Sequence, residues 1–256
     1  MTKHYLTLIL LITCLIGCKK KETDFTQTGS FALHLTDSPA NYDHIYLDIQ
    51  SIEVNHNSQG WIHIGPASPG IIDILEFNNT FDTLIANAEL PVGTLQQIRL
   101  TLGSNNTLVV NGIQKNLTIP SGGQSGLKIN LNAVIEAGGT TEHWLDFKAA
   151  SSINELGNGN YQLIPVLSSF NGASNGKIVG YALPLNASIY VQLCRGTDTV
   201  TTIPEANGFF GFQGVQGNNY FLRIVPTAGS YQDSIMPLPV INGNQLHNLG
   251  NITLHP

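Results

Sequence analysis

The pattern that most limits the fold of this 256-residue chain is alternation with a period of two. Phe31, Leu33 and Leu35 alternate with Ala32, His34 and Thr36, and Ile98, Leu100 and Leu102 with Gln97, Arg99 and Thr101. Leu127, Ile129 and Leu131 alternate in the same way with Lys128, Asn130 and Asn132. Successive strand side chains point to opposite faces, so these runs read as half-buried β-strands. Ile45, Leu47 and Ile49 continue as Ile52 and Val54, one residue out of phase, which predicts a β-bulge near Gln50-Ser51. Turn signals punctuate the runs at Asp37-Ser38-Pro39, Leu90-Pro91-Val92-Gly93, Pro120-Ser121-Gly122-Gly123 and Gly157-Asn158-Gly159-Asn160. The expectation is an all-β protein, with 71–86 the best place for a short helix or a loop crossing.

The run Asn171-Gly172-Ala173-Ser174-Asn175-Gly176 holds no large apolar residue and reads as a linker. It divides the chain into a first β-sandwich over 29–171, a linker over 172–175 and a second sandwich over 176–256. Beyond it, strands are expected at 178–181, 188–193, 209–212, 220–225 and 252–254, spaced as in a small sandwich. Charged residues make up only 11% of the chain, with 26 glycines among abundant neutral polar residues. The net charge of −6 speaks against a nucleic-acid partner, which favours a basic face.

The first residues differ from the rest. Tyr5 to Ile16 is apolar apart from Thr7 and Thr13. The run falls short of the roughly 20 residues that span a bilayer and suits a signal-peptide core. It leads into Leu15-Ile16-Gly17-Cys18, which resembles the lipobox of bacterial lipoproteins. The resemblance implies a cleaved signal peptide over 1–17, and palmitate-type acyl chains on Cys18. It also implies attachment to a membrane of the cell envelope, with the outer membrane preferred and the periplasmic or surface face left open. Each buried methylene contributes about 0.8 kcal/mol, so several chains anchor durably where one does not. Residues 18–28, with Lys19, Lys20 and Lys21 near the headgroups, form a polar tether. Of the three cysteines, Cys14 lies in the leader and Cys18 at the lipobox, so Cys194 has no disulfide partner and reads as a packed strand residue.

Six separated blocks occur in one order: Thr36-Asp37-Ser38-Pro39 with Tyr42-Asp43; Trp61; Asp73-Ile74-Leu75; Leu90-Pro91-x-Gly93 with Ile98-Arg99-Leu100; Pro120-Ser121-Gly122 with Ser125-Gly126-Leu127-Lys128; and Leu145-Asp146-Phe147. This order resembles the domain-of-unknown-function family 4382, found in bacterial lipoproteins. That family has no established activity, so the resemblance implies a fold and a setting. The second domain carries Ile178-Val179-Gly180, Asn207-Gly208-Phe209-Phe210-Gly211-Phe212 and Val215-Gln216-Gly217 leading to Tyr220. These are similar to the carboxypeptidase-regulatory-like, transthyretin-type sandwich, whose modules act as spacers or adhesive accessories.

Reactive motifs are sparse. Gly122-Gly123-Gln124-Ser125-Gly126 fails the spacing of a nucleophile elbow, and Gly172 to Lys177 is one residue short of a phosphate loop and leads into a strand. No cofactor is expected. Asp37, Asn41 and Asp43 offer hard oxygen ligands for Ca²⁺, but capping of the turn by these side chains is the better reading, so no metal is expected. Arg99 and Lys128 lie on outward strand phases, free to pair with Asp48 or Asp146 or to contact an anionic ligand. Trp61 and Trp144 can stack on sugar rings or fill a core. Three readings follow. The first is a non-enzymatic envelope protein binding a partner protein or glycan. The second is a carbohydrate-binding module of an envelope glycan-handling system. The third is a hydrolase gathering Asp48, Asp73 and Asp146.

Overall fold

The computed structural model describes residues 27–38, 40, 42–66, 70–120 and 126–256. Cys18 with its leader, the tether as far as residue 26, Pro39, Asn41 and residues 121–125 fall outside the described residues, whereas Thr28, expected in the tether, already begins the first strand. The described chain is all-β, folded as two consecutive sandwiches.

The first sandwich contains β1 (Thr28–Ser38), β2 (His44–His56), β3 (Gly60–Gly65), β4 (Gly70–Asp73), β5 (Thr83–Pro91), β6 (Gly93–Leu102) and β7 (Thr107–Val110). It continues through β8 (Ile113–Thr118), β9 (Leu127–Ile135), β10 (Thr140–Lys148), β11 (Ile153–Leu156), β12 (Asn160–Leu163) and β13 (Leu167–Asn171). One sheet runs β13-β10-β1-β5, and its central pair, β1 and β10, is parallel. The parallel register sets Leu35 beside Leu145 and Asp37 beside Phe147, so both strands send the same phase into the core. The other sheet runs β11-β12-β8-β7-β2-β6-β9. Its spine is β2, long enough to pair with β7 and β6 along one edge and with β4 and β3 along the other.

The pairing of β2 with β6 shifts register between Ile49 and Ser51, where the hydrophobic phase slips. The bulge lets Ile45, Leu47, Ile49, Ile52 and Val54 all be buried on one face. Phe31, Leu33, Leu35, Leu145 and Phe147 meet them from the opposite sheet. The stretch 71–86 resolves into parts. β4 ends at Asp73, whose side chain caps a 3-10 turn over Ile74–Phe77, and β5 then starts at Thr83. A second bulge, between Leu33 and His34 in the β1–β5 pairing, leaves Ile85 and Ala86 buried side by side. That break in alternation is what hides a strand from period counting.

The second sandwich contains β14 (Gly176–Leu183), β15 (Ile189–Arg195), β16 (Asp198–Thr202), β17 (Phe209–Val215), β18 (Phe221–Pro226), β19 (Ser234–Pro237) and β20 (Leu246–Thr253). The sheet β17-β14-β20 faces the sheet β16-β15-β18-β19 across Ile178, Val191, Phe210, Phe212, Leu222 and Ile224. Gly180 is small for a reason: a Cβ there would lie 2.8 Å from the Phe210 ring. Cys194 is buried on β15 beside Thr199.

The connection between sandwiches is a bonded turn. Asn171 accepts through Oδ1 from Ala173 N at 2.8 Å, and through its carbonyl from Asn175 Nδ2 at 2.8 Å. A second attachment is made by Asn79, on the loop before β5. Asn79 is 4% exposed and holds a left-handed backbone at φ 51°. Its Oδ1 accepts from Thr202 Oγ1 at 2.7 Å and from Gly211 N at 3.2 Å, and its Nδ2 donates to Ile203 O at 3.1 Å. Gly211 is required here, because a Cβ would lie 2.5 Å from Thr80 Cγ2 and 2.9 Å from Asn79 O. Beside it, Gln213 Nε2 donates to Thr36 Oγ1 at 2.6 Å. Buried polar bonds of this kind hold only when every partner is in place, so they fix an orientation more sharply than apolar contact does.

Candidate functional site between the sandwiches

The outward phases of β9 and β10, with the end of β13, build one wall of a cleft between the two domains. His34, Trp144 and Phe170 occupy one row across the sheet, because β1, β10 and β13 are neighbours and these residues are register partners. His34 stacks on Trp144 at 4.7 Å and 13°, and Trp144 on Phe170 at 5.9 Å and 9°. Asp82 ties the row down, accepting from Trp144 Nε1 at 3.0 Å and meeting His34 Nδ1 at 2.8 Å. Burial raises the Asp82 pKa, but the bonds from His34 and Trp144, with the charges of His34 and Lys177, outweigh it and hold the carboxyl below the usual carboxylate range.

The cleft beside this row has a volume of about 870 Å³. The first sandwich contributes Asn132 and Val134 from β9 and Glu142 and Trp144 from β10; the second contributes Lys177, Gln213 and Gln245. Gly172 lets the chain pass over the indole, since a Cβ there would lie 2.3 Å from Trp144 Cζ3.

Trp144 is therefore no open platform. It is 8% exposed, with one ring face against His34 and the other against Phe170. Trp61, by contrast, sits with Arg99 and Lys128 on the outer face of the β2 sheet. The Arg99 guanidinium carbon lies 4.3 Å and Lys128 Nζ 5.8 Å from its ring centroid. Arg99 does not pair with Asp48 or Asp146. It forks onto Glu53, its register partner on β2, through Nε at 2.6 Å and Nη2 at 2.7 Å. That bond lowers the Glu53 pKa and raises that of Arg99. The fold thus brings three of the four expected ligand contacts, Trp61, Arg99 and Lys128, into one cluster and places Trp144 on the other sheet.

The remaining candidate carboxylates bond to the protein's own backbone and side chains. Asp37 is buried and accepts from Ala149 N at 3.1 Å, and Asp43 accepts from Gly112 N at 2.8 Å across a β7–β8 turn. Among the described residues, no three His, Cys, Asp or Glu side chains are grouped to hold a metal ion. Asp48 accepts from Asn105 N at 3.2 Å and from the Gln50 amide. Asp73 accepts from Ile45 N at 3.1 Å and contacts His44 Nδ1 at 2.6 Å. Asp146 lies on the other sheet, accepting from Ser168 Oγ at 3.2 Å. The three carboxylates of a hydrolase reading are thus divided between two sheets. The residues that sequence reading passed over are Asn79, Gln213 and Lys177. The only local signal for them was Asn78-Asn79-Thr80, a turn-forming cluster whose second and third residues both take positive φ.

These features define an all-β architecture of two sandwiches with a polar cleft between them. The chain belongs to the family described as Domain of unknown function (DUF4382), whose model matches residues 28–165, more than half the chain. That description assigns no activity and indicates no catalytic family. No curated protein matches the chain. Among solved structures, the Bacillus anthracis TIE protein is 11% identical, with 89% of this chain and 34% of that chain covered and a TM-score of 0.28. A leucine-rich repeat protein from Bacteroides thetaiotaomicron is 11% identical over 89% of this chain and 26% of its own, with a TM-score of 0.19. The shaft pilin SpaA from Lactobacillus rhamnosus GG is 8% identical, with 90% and 98% covered and a TM-score of 0.23. The chain thus spans about a third and a quarter of the first two. TM-scores this low carry no statement about what this chain does.

Proposed function

We propose that this protein is a lipid-anchored component of the bacterial cell envelope that serves a binding, adhesive or structural role without catalysis. Acyl chains on Cys18 hold it to a membrane, residues 19–27 form the tether that ends where β1 begins at Thr28, and the two sandwiches stand beyond it. The second sandwich, three strands facing four, is read as a transthyretin-type module that braces the first.

The observation that carries this reading is the junction at Asn79. A buried asparagine bonded to Thr202, Ile203 and Gly211 makes the two sandwiches one body, as suits a protein that presents a surface at a fixed angle. The carboxylates that would serve a hydrolase support it as well, since Asp48 and Asp73 each hold a neighbouring loop or strand in place. The test is labelled-palmitate feeding of cells making the full-length chain. Label on the wild-type protein and none on Cys18→Ala is expected, with the wild type in the membrane fraction. Label retained by Cys18→Ala, or an unlabelled wild type in the soluble fraction, removes the anchor.

A further inference from the structure

We infer that the cleft between the sandwiches binds a neutral oligosaccharide; this rests on the binding role proposed above and names its ligand class. Three properties of the lining point to that chemistry. The first is its polar complement. Asn132 faces the cleft from the first sandwich, and Asn244 and Gln245 face it from the second. A carboxamide offers two donors and an acceptor in one plane, which pairs with the adjacent hydroxyls of a sugar, each both donor and acceptor.

The second property is charge. Glu136 and Glu142 stand on one wall and Lys177 on the other, so the lining carries no excess of positive charge. Phosphate, nucleotides and acidic glycans would meet carboxylates there and find one cation, itself drawn towards Asp82. A neutral ligand loses nothing in this environment.

The third is the apolar remainder. Val134 and Leu246, from opposite domains, are 56% and 64% exposed, and Phe170 joins them in the lining. Sugar rings are amphipathic, with C–H faces that rest on such side chains while their hydroxyls reach the amides. A cleft of about 870 Å³ holds several rings in a row. An extended peptide is the poorer fit. Peptides of that kind pair with a free strand edge. Here β9 and β13, the terminal strands of their two sheets, are fastened to each other through Ser169 Oγ and Asn130 O at 2.9 Å, and the cleft is lined by the outward side chains of β9 and β10. Trp144 does not act as a stacking platform, because both its faces are taken. Recognition falls to the amides.

The test is calorimetric titration of the full chain, solubilised in detergent, with uncharged tetrasaccharides of glucose, mannose, galactose and N-acetylglucosamine, and with an uncharged tetrapeptide. Binding of at least one sugar is expected, weakened about tenfold by Asn132→Ala and by Gln245→Ala, each equivalent to one lost hydrogen bond. Both residues are exposed and outside the cores, so both variants fold, as circular dichroism will verify. Silence with all four sugars overturns the inference. So does binding that neither variant changes, or binding of the peptide alone. Palmitate labelling is read separately: a labelled protein that ignores every sugar keeps its anchor and loses this site, whereas a sugar-binding protein without label does the reverse.

Discussion

The two sandwiches are both all-β, yet they are held together differently. Among the described residues, the first buries Asp37, Asp48, His56, Asn106, His143 and Ser152 within itself, whereas the buried polar residue of the second, Thr202, is spent on the junction. Several of these buried groups tie loops to strands. Asn106 accepts from Asp48 N at 2.9 Å and donates to Gly103 O at 2.7 Å, folding the β6–β7 loop back onto β2. Ser152 donates to Lys148 O at 2.8 Å and accepts from Val166 N at 2.9 Å, closing the path from β10 to β13. His56 accepts from Ser58 N through Nδ1 and therefore donates through Nε2 to Pro91 O at 3.2 Å. Strand direction does not make the difference, since each sandwich has a parallel pair, β1 with β10 in the first and β14 with β20 in the second. The first has more loops folded back over its sheets, and these carry backbone groups that must be satisfied. The second relies on packing around rings such as Phe210 and Phe212.

The largest expected effect is common to both halves. Phe147→Ala and Phe210→Ala each remove a fully buried ring and are expected to cost about 3–5 kcal/mol in chemical denaturation. A cost below about 1 kcal/mol in either would break the claim that both rest on an apolar layer. Next comes an effect found only in the first half. Burial pushes the His143 pKa down from 6.5 to about 4. The unfolded chain takes up a proton below pH 6.5 that the folded ring refuses, so stability falls as the pH drops from 6.5 towards 4. The total reaches about 3 kcal/mol at about 1.4 per unit. Denaturation midpoints measured across that window should slope in the wild type and flatten in His143→Leu; equal slopes would assign the loss to other groups. Asp48→Ala, which strands the Asn105 N–H, is expected to cost about 1–3 kcal/mol, against little for Thr201→Ala on the second half's outer strand. Smallest is Arg99→Ala. Its fork onto Glu53 is partly exposed, so a double-mutant cycle with Glu53→Ala should return a coupling smaller than any of the effects above.

Much of this was legible in the residues. Alternation marks β1, β6 and β9, and the phase slip at Gln50-Ser51 marks a bulge, because each rests on a local rule. β5 escaped because its bulge sits opposite β1 and shows only in the pairing. β16 and β19 escaped as short strands at the margins of their sheet, where exposure removes the apolar signal. The cleft was not legible. Its walls join residues as far apart as Asn132 and Gln245, and no local pattern records that β9 and the approach to β20 meet. Trp144 shows the same limit: its outward phase is plain from sequence, whereas its burial depends on His34 and Phe170 arriving from neighbouring strands.

The account depends most on the claim that these unlike halves move as one body through Asn79. Backbone ¹⁵N relaxation of the described two-sandwich region in the wild-type chain tests that claim directly. One rotational correlation time shared by both sandwiches is predicted, with Asn79→Ala splitting it into two. Two separate correlation times in the wild type would contradict the account, because a cleft between independently tumbling halves has no fixed shape to bind with.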